Sequence, residues 1–519
     1  MVPGTHFQVK DIYFLFTGVL FIVSSIALFR KSKVAASILL LSFAAFFLRF
    51  FVIRLDPFIY LWDEQFHALV AKNMLLHPLT PMLYNNPVLP YNISNWSGNY
   101  IWLHKPPFFL WLIAISFKLF GINEIALRIP SVLLSTLLVP VLYRMGTLLF
   151  NKKAGYYCAF IFALANYQIE MVSGIIGSDH NDVAFMFFIT LSFWALIEYR
   201  FSRQKKWLYL IGLFSGTAIL VKWIMGFLVF FCWGLTIILD RDKRFSFKSY
   251  KGIITSFMIS LLVAIPWQVY IFLTFPKEAY DTYFSYANHF TSSLDEHTGG
   301  ECYHLGLIGQ QFGWLVPFIL IPAIYYTYRT LREKKAERII LISWIMSVYI
   351  FYAIVKTKMP LFTIISCPVI FLVLGNLIDT CMNYIETSTK KLSNVITWCL
   401  LLILGYSDIN PNEIETHHTD TGSMQLRRSI YIHNTQIYKQ TDSMLNDKTY
   451  IIFNCKGFNY IPLMFYSGTT AYANIPDSNT LSKLEKNGYK VAVFNNNDLP
   501  EYVSKDSKIL KLNLHIIAN

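Results

Sequence analysis

Long apolar runs separated by short polar stretches dominate the first four fifths of the chain. A membrane span needs about 20 apolar residues. Runs of that order fall at 11–29, 34–53, 126–150, 154–172, 183–199, 207–221, 223–240, 252–274, 304–327, 339–355, 360–379 and 392–407, which predicts about 12 crossings. One further run, PPFFLWLIAISFKLFG at 106–121, is short, opens on two prolines and carries Lys118, so it is expected to lie in the membrane plane or re-enter it.

The polar stretches orient these spans. RKSK at 30–33, NKK at 151–153, RFSRQKK at 200–206, RDKRFSFKSYK at 241–251, YRTLREKKAER at 328–338 and TKK at 389–391 fall on every second loop. Lysine and arginine collect on the cytoplasmic side of membrane proteins, so these loops are read as cytoplasmic. Loops 54–125, 173–182, 275–303 and 356–359, and everything after about 408, then share the outer face, with Lys222 and Trp223 at a tight outer turn.

Beyond residue 408 the pattern changes. Asn, Asp, Ser, Thr and Lys become frequent, and strand-like YIIFNC, TTAYANI, KVAVFN and ILKLNL accompany a helix-like stretch at 478–488. The predicted fold class is an all-α polytopic membrane protein with in-plane helices. Residues 1–407 form the membrane domain, with outer loops 54–125 and 275–303, and 408–519 form a small soluble α/β domain on the outer face.

Composition agrees: 55% of the 519 residues are hydrophobic and 14% charged, outside the range of a soluble globular chain. The +13 net charge would suit nucleic acid in a soluble protein; here it sits in the cytoplasmic clusters, so no nucleic-acid partner is expected. Seven cysteines form no CxxC pair, and only Cys302 and Cys455 could meet on an oxidising face. The N-terminal run lacks a basic leader and a small-residue cleavage site and reads as an anchor.

Candidate chemistry gathers in residues 56–110, the first long segment that cannot span. Asp63 and Glu64 open a stretch in which Phe66, Leu69, Val70 and Met74 recur at helical spacing, placing both carboxylates at the head of an amphipathic helix. An aspartate there commonly caps free N–H groups, but the topology puts His67, His104, Lys105, Asp179, His180, Asp182, His289, His297, Lys356 and Lys358 on the same face. Lys105 could merely snorkel to headgroups. The prolines after it fix the backbone, however, and a rigidly aimed ammonium suits a phosphate. KTKMP at 356–360 repeats that theme. No HExxH or other metal spacing appears, yet the histidines and acids leave a divalent cation a candidate cofactor.

WDEQFHALVAKNM, HKPPFFLWLIAISFKLFGINEIALRIPS, SDHNDVAFMFFITLSFWAL, LVKWIMGF, IPWQVY and KTKMPLFTIISCP, in this order over residues 56–375, resemble the polyprenyl-phosphate-dependent glycosyltransferases of the GT-C superfamily. The resemblance is to the branch of lipid A aminoarabinose transferase and, more distantly, protein O-mannosyltransferases. It implies a polyprenyl-phosphate sugar donor, a lipid, glycan or protein acceptor, and a bacterial inner membrane with a periplasmic site. It further implies Asp63 at the heart of the site, a second acid at Asp182 with Asp179 as the alternative, and Lys105 and Arg128 against the donor phosphate. The family carries Glu-Lys-Pro-Pro where this chain has His104-Lys105-Pro106-Pro107, so His104 and His289 become the candidate metal ligands.

Elementary chemistry is compatible with that implication. A sugar phosphate already has a good leaving group, so one base and a clamp of cations suffice. Asp63 fits the base; Lys105 fits the clamp, with Arg128, Lys222, Lys356 and Lys358 beside it. The competing expectation is a transporter or flippase for a lipid-linked sugar.

Overall fold

The computed structural model describes residues 7, 9–294, 297–388, 411–419, 425–445, 447 and 449–517. Helices α1 (Val9–Arg30) and α2 (Val34–Ile53) form an antiparallel hairpin across the Lys31–Lys33 turn. Ser25 and Ser37 exchange hydroxyl-to-carbonyl hydrogen bonds of 2.8 Å beside this turn. Such a pair satisfies polar groups where water is excluded. Arg49, fully buried on α2, is spent in the same way, donating to Ser135 Oγ at 2.8 Å and to the carbonyls of Ala163, Phe162 and Ala45.

Next come α3 (Asp63–Met74), α4 (Pro107–Phe120), α5 (Glu124–Leu149), α6 (Lys152–Leu164) and α7 (Asn166–Glu170). Asn123 and Asn151 cap α5 and α6 with their side-chain oxygens. α5 and α6 approach closely through glycines: a Cβ on Gly155 would lie 2.5 Å from the Tyr143 carbonyl, and one on Gly146 would lie 2.6 Å from Gly155 Cα. Small residues at such crossings let helix backbones touch. The 14 residues of α4 reach about 21 Å, short of the roughly 30 Å hydrocarbon core, so the run at 106–121 forms a helix too short to cross.

The chain continues through α8 (Asn181–Ser202), α9 (Lys206–Lys222), a 3₁₀ turn at Ile224–Phe227, α10 (Leu228–Ile238), α11 (Phe247–Thr274) and α12 (Pro276–Thr291). Then follow α13 (Tyr303–Gly306), α14 (Ile308–Phe312), α15 (Val316–Thr330), α16 (Lys335–Ile354), a 3₁₀ segment Pro360–Ser366 and α17 (Cys367–Ser388). α8 and the 360–385 stretch are buried nearly all round and make the centre of the bundle.

Among the described residues, seven helices are long and apolar enough to cross a membrane: 11–30, 34–53, 124–149, 181–202, 247–274, 335–354 and 360–385. The chain is an integral membrane protein. The other apolar runs fold as shorter pieces: 154–172 as α6 and α7, 207–221 as the 17-residue α9, 223–240 as a 3₁₀ turn plus α10, and 304–327 as α13, α14 and α15. Run 392–407 lies outside the described residues.

After α18 (Pro411–His418) and α19 (Gln425–Met444), a parallel sheet forms in the order β1 (Tyr450–Phe453), β2 (Lys490–Phe494), β3 (Leu510–Leu512), with helices Tyr460–Ser467 and Ser478–Lys486 between the first two strands. TTAYANI, expected as a strand, contributes only one bridge, Ala471 to Ile452. This region packs on the segment carrying α3: Lys72 Nζ donates to the Phe465 carbonyl at 2.5 Å, and the Tyr460 hydroxyl donates to the Ser97 carbonyl at 2.6 Å. Cys302 and Cys455, the pair that the sequence left able to meet, are free thiols, the first exposed and the second buried.

Candidate active site

Asp63 is the first residue of α3, and the residue ahead of it, Trp62, makes no side-chain cap. Trp62 has φ +68° and ψ −136°, a conformation that L side chains avoid; Trp223, directly after Lys222, repeats it at +66° and −149°. Strain of this kind costs about 1–3 kcal/mol per residue and persists where surrounding packing enforces it. Here it aims two chain reversals at one point.

At that point Lys105 Nζ lies 3.1 Å from Asp63 Oδ1 and 2.8 Å from Asp179 Oδ2. Lys222 Nζ lies 3.0 Å from the same Asp179 oxygen and 2.6 Å from Asp182 Oδ1. Two ammoniums and three carboxylates thus form a chain, with Asp63, 21% exposed, at its open end. Burial would depress the Lys105 ammonium, but Asp179 and Asp63 outweigh it and hold it well above the ordinary lysine range. Burial would likewise raise Asp179, yet Lys105 and Lys222 hold it well below the usual carboxylate range. Both stay charged at neutral pH.

Beside this chain both ring nitrogens of His67 lack hydrogen-bond partners. Burial pushes the His67 imidazole down to about 4, so it is neutral at pH 7. Its Nε2 lies 3.9 Å from Asp179 Oδ1. Tyr286, on α12, lies between His104 and Trp223, with ring centroids 6.0 and 4.5 Å away. Buried polar groups left unpaired by the protein are rare and are met by ordered water, an ion or a ligand.

Asp63, His67 and Asp179 offer ligand atoms that all lie within 4.8 Å of one another, a carboxylate-rich set that fits a divalent cation. The expected ligands His104 and His289 do not belong to it. Burial and the charge of Lys105 push His104 down to about 3, and its ring stacks on Trp96 at 4.6 Å. His289 Nδ1 is 3.0 Å from Thr357 Oγ1.

Other expected site residues serve as framework. Arg128 is fully buried and donates to Glu64 at 2.7 and 3.2 Å and to the carbonyls of Ile53, Asp56 and Phe58. It was expected on the donor phosphate, but the geometry directs its donors into the protein. Glu64 also accepts from the Tyr60 N–H and lies 3.1 Å from His180 Nε2, whose Nδ1 faces Ser131. Lys358 donates to the Tyr352 and Ala353 carbonyls and so closes the end of α16, where a clamp role was expected. Its N–H donates to the His297 carbonyl. Lys356 is exposed. Of the paired acids, it is Asp179 that touches Lys105, while Asp182, the first choice from sequence, sits behind Lys222.

A profile described as dolichyl-phosphate-mannose-protein mannosyltransferase matches residues 104–270. An uncharacterised protein of Aquifex aeolicus is 25% identical over 355 residues, 66% of this chain and 63% of that one. An undecaprenyl phosphate-alpha-4-amino-4-deoxy-L-arabinose arabinosyl transferase of Pseudomonas fluorescens is 24% identical over 61% of this chain and 55% of its own. The chain thus spans less than two thirds of the length of these relatives. Among solved structures, ArnT from Cupriavidus metallidurans bound to undecaprenyl phosphate superposes with TM-score 0.61 at 15% identity, over 86% of this chain and 87% of that one. The oligosaccharyltransferase AglB of Archaeoglobus fulgidus, in complex with an inhibitory peptide and a dolichol-phosphate, gives 0.54 at 12% identity, over 84% and 64%. The chain therefore resembles the GT-C superfamily in fold, aminoarabinose transferases and oligosaccharyltransferases included.

Proposed function

We propose that the chain is an integral-membrane glycosyltransferase moving a sugar from a polyprenyl-phosphate donor to a lipid, glycan or protein acceptor. Undecaprenyl phosphate in the relatives' names supports a lipid-linked donor, and we take the membrane to be a bacterial inner membrane with the site and residues 408–519 facing the periplasm. The count of about 12 crossings belongs to this reading. The observation that carries it is the Lys105 ammonium held between Asp63 and Asp179, with Lys222 next in line and the unpartnered His67 ring beside them.

In the proposed reaction Asp63 takes the proton of the acceptor hydroxyl, and the freed oxygen attacks the anomeric carbon. The bond from that carbon to the phosphate oxygen breaks, its electron pair stays on the phosphate, and the centre inverts. Lys105 and Lys222 stabilise the added phosphate charge, which is worth most in a water-poor site. Asp179 fixes both ammoniums, Asp182 holds Lys222 from behind, and Arg128 with Glu64 holds the loop ahead of α3. A divalent cation held by Asp63, His67 and Asp179 would supply further positive charge for the phosphate.

The test is to incubate the purified protein with a radiolabelled polyprenyl-phosphate sugar and candidate acceptors, then repeat it in sealed vesicles. Label should move to an acceptor, and Asp63→Asn should abolish transfer while the protein stays folded. Label that only crosses the vesicle membrane would make the chain a flippase, and wild-type turnover in Asp63→Asn would remove the base.

A further inference from the structure

A second cluster of ionisable side chains lies away from the clamp, where the C-terminal region returns to the membrane bundle. Glu170, the last residue of α7, meets Glu413 and His417 of α18, and their ligand atoms all lie within 4.8 Å of one another. His417 Nδ1 is 2.9 and 3.1 Å from the two Glu170 oxygens. Asn166, one helical turn before Glu170, is 9% exposed and points its amide nitrogen at both carboxylates, 3.2 Å from each.

One buried side-chain atom in this cluster has no hydrogen-bond partner, Asn166 Oδ1, while His418 Nε2 is turned toward Glu170. His418, 2% exposed, has its Nδ1 2.5 Å from Asp56 Oδ2. A carboxylate on one ring nitrogen is the arrangement that fixes a metal-ligating histidine, leaving the other nitrogen's lone pair facing the ion. That other nitrogen faces Glu170 Oε1 at 3.6 Å. The separation is too long for a hydrogen bond. Two ligands of one tetrahedral ion, each at about 2.1 Å, stand about 3.4 Å apart. The amide of Asn166 adds to this, because a half-turn about its terminal bond would exchange nitrogen for oxygen and present an acceptor to a cation. A cavity of about 190 Å³, lined by Asn166, Glu413 and Gln311 among others, reaches the cluster and gives an ion a way in.

We propose that Glu170, Glu413 and His417, with His418 adjoining, bind one divalent transition-metal ion of the zinc or manganese class. Two carboxylates and imidazole suit such an ion. It would pin α18 to α7. Through Asp56, which also accepts from Arg428 at 2.7 Å and from the Tyr60 hydroxyl at 2.6 Å, it would tie the C-terminal region to the loop carrying α3. The site is separate in sequence and in residues from the Asp63, His67 and Asp179 set.

The experiment uses the full-length protein in detergent, stripped with a chelator and titrated with Zn²⁺ or Mn²⁺, with bound metal counted by elemental analysis and unfolding followed by heat. Wild type should bind at least one equivalent that raises its unfolding midpoint. His417→Ala and Glu413→Gln should each lose one equivalent, or weaken it at least tenfold, and lose that rise. Metal content and midpoint shift identical to wild type in Glu413→Gln and His417→Ala would overturn the site and leave a proton-bridged ion cluster. Should His417→Ala fail to fold, Glu413→Gln, which keeps size and polarity, still decides the question.

Discussion

Replacing Arg128 by leucine separates a framework role from a phosphate-binding one. The guanidinium is fully buried and makes five hydrogen bonds, two to Glu64 and one each to the carbonyls of Ile53, Asp56 and Phe58. Removing one partner of a buried ion pair costs about 3–5 kcal/mol, because the other charge stays buried and unpaired. Each orphaned carbonyl adds up to about 1–3 kcal/mol. These contributions share one loop, which relaxes, so they do not simply add. The expected loss is therefore about 3–5 kcal/mol, or roughly two to three and a half powers of ten in the folding equilibrium. Lysine should not rescue it, since a point charge cannot serve a fork of five donors. Glu64→Gln combined with Arg128→Leu should recover part of the loss by removing the stranded charge. The assay is heat- or denaturant-induced unfolding of detergent-solubilised protein, with donor kinetics measured in parallel. Wild-type unfolding in Arg128→Leu combined with a raised donor KM would refute this reasoning and return Arg128 to the phosphate clamp.

Lys105→Met should depress donor-dependent turnover by about 10²–10³, with the protein still monodisperse; unchanged donor kinetics would remove Lys105 from the clamp. For Asp179, a folded carboxyl held below its unfolded value contributes stability that is complete above the unfolded pKa of about 3.9 and is lost as pH falls through the folded value. Measured in an Asp182→Asn background, which removes the second carboxyl on Lys222, the stability lost on Asp179→Asn should thus be flat from about pH 5 to 8 and shrink only in stronger acid; a loss that vanishes near pH 6 would show a carboxyl that is not held ionised. Gly155→Val should separate α5 from α6, because its Cβ alone meets the Tyr143 carbonyl at 2.5 Å. The expected cost is about 1–3 kcal/mol, and unfolding indistinguishable from wild type would mean that the helices pack elsewhere.

The spans were legible where apolar residues ran unbroken, as in α1, α2, α5, α8, α11 and α16. Elsewhere hydropathy hid chain direction: the run at 304–327 breaks at Gly313, φ +104°, into short helices on either side. Strands YIIFNC, KVAVFN and ILKLNL were visible from alternation and β-branching. TTAYANI runs beside β1 with four backbone hydrogen bonds but forms a single bridge, because its tyrosine turns to the 54–125 loop, the Tyr472 hydroxyl accepting from the Val88 and Leu89 N–H groups.

The site divides along the same line, between local signals and long-range pairing. Lys105 was legible because two prolines stiffen the chain beside it. Asp179 and Asp182 stand three residues apart at the start of α8, and no local rule says which of two acids meets an ammonium 74 residues away. The adjacent pair Asp63 and Glu64 shows why. Successive residues on a helix point about 100° apart, so only one of the two can face the cleft. Trp62, held at positive φ, fixes which: Asp63 reaches Lys105, and Glu64 turns inward to Arg128 and His180. The acid that looks equally reactive in the sequence thereby becomes the anchor that keeps its neighbour in place.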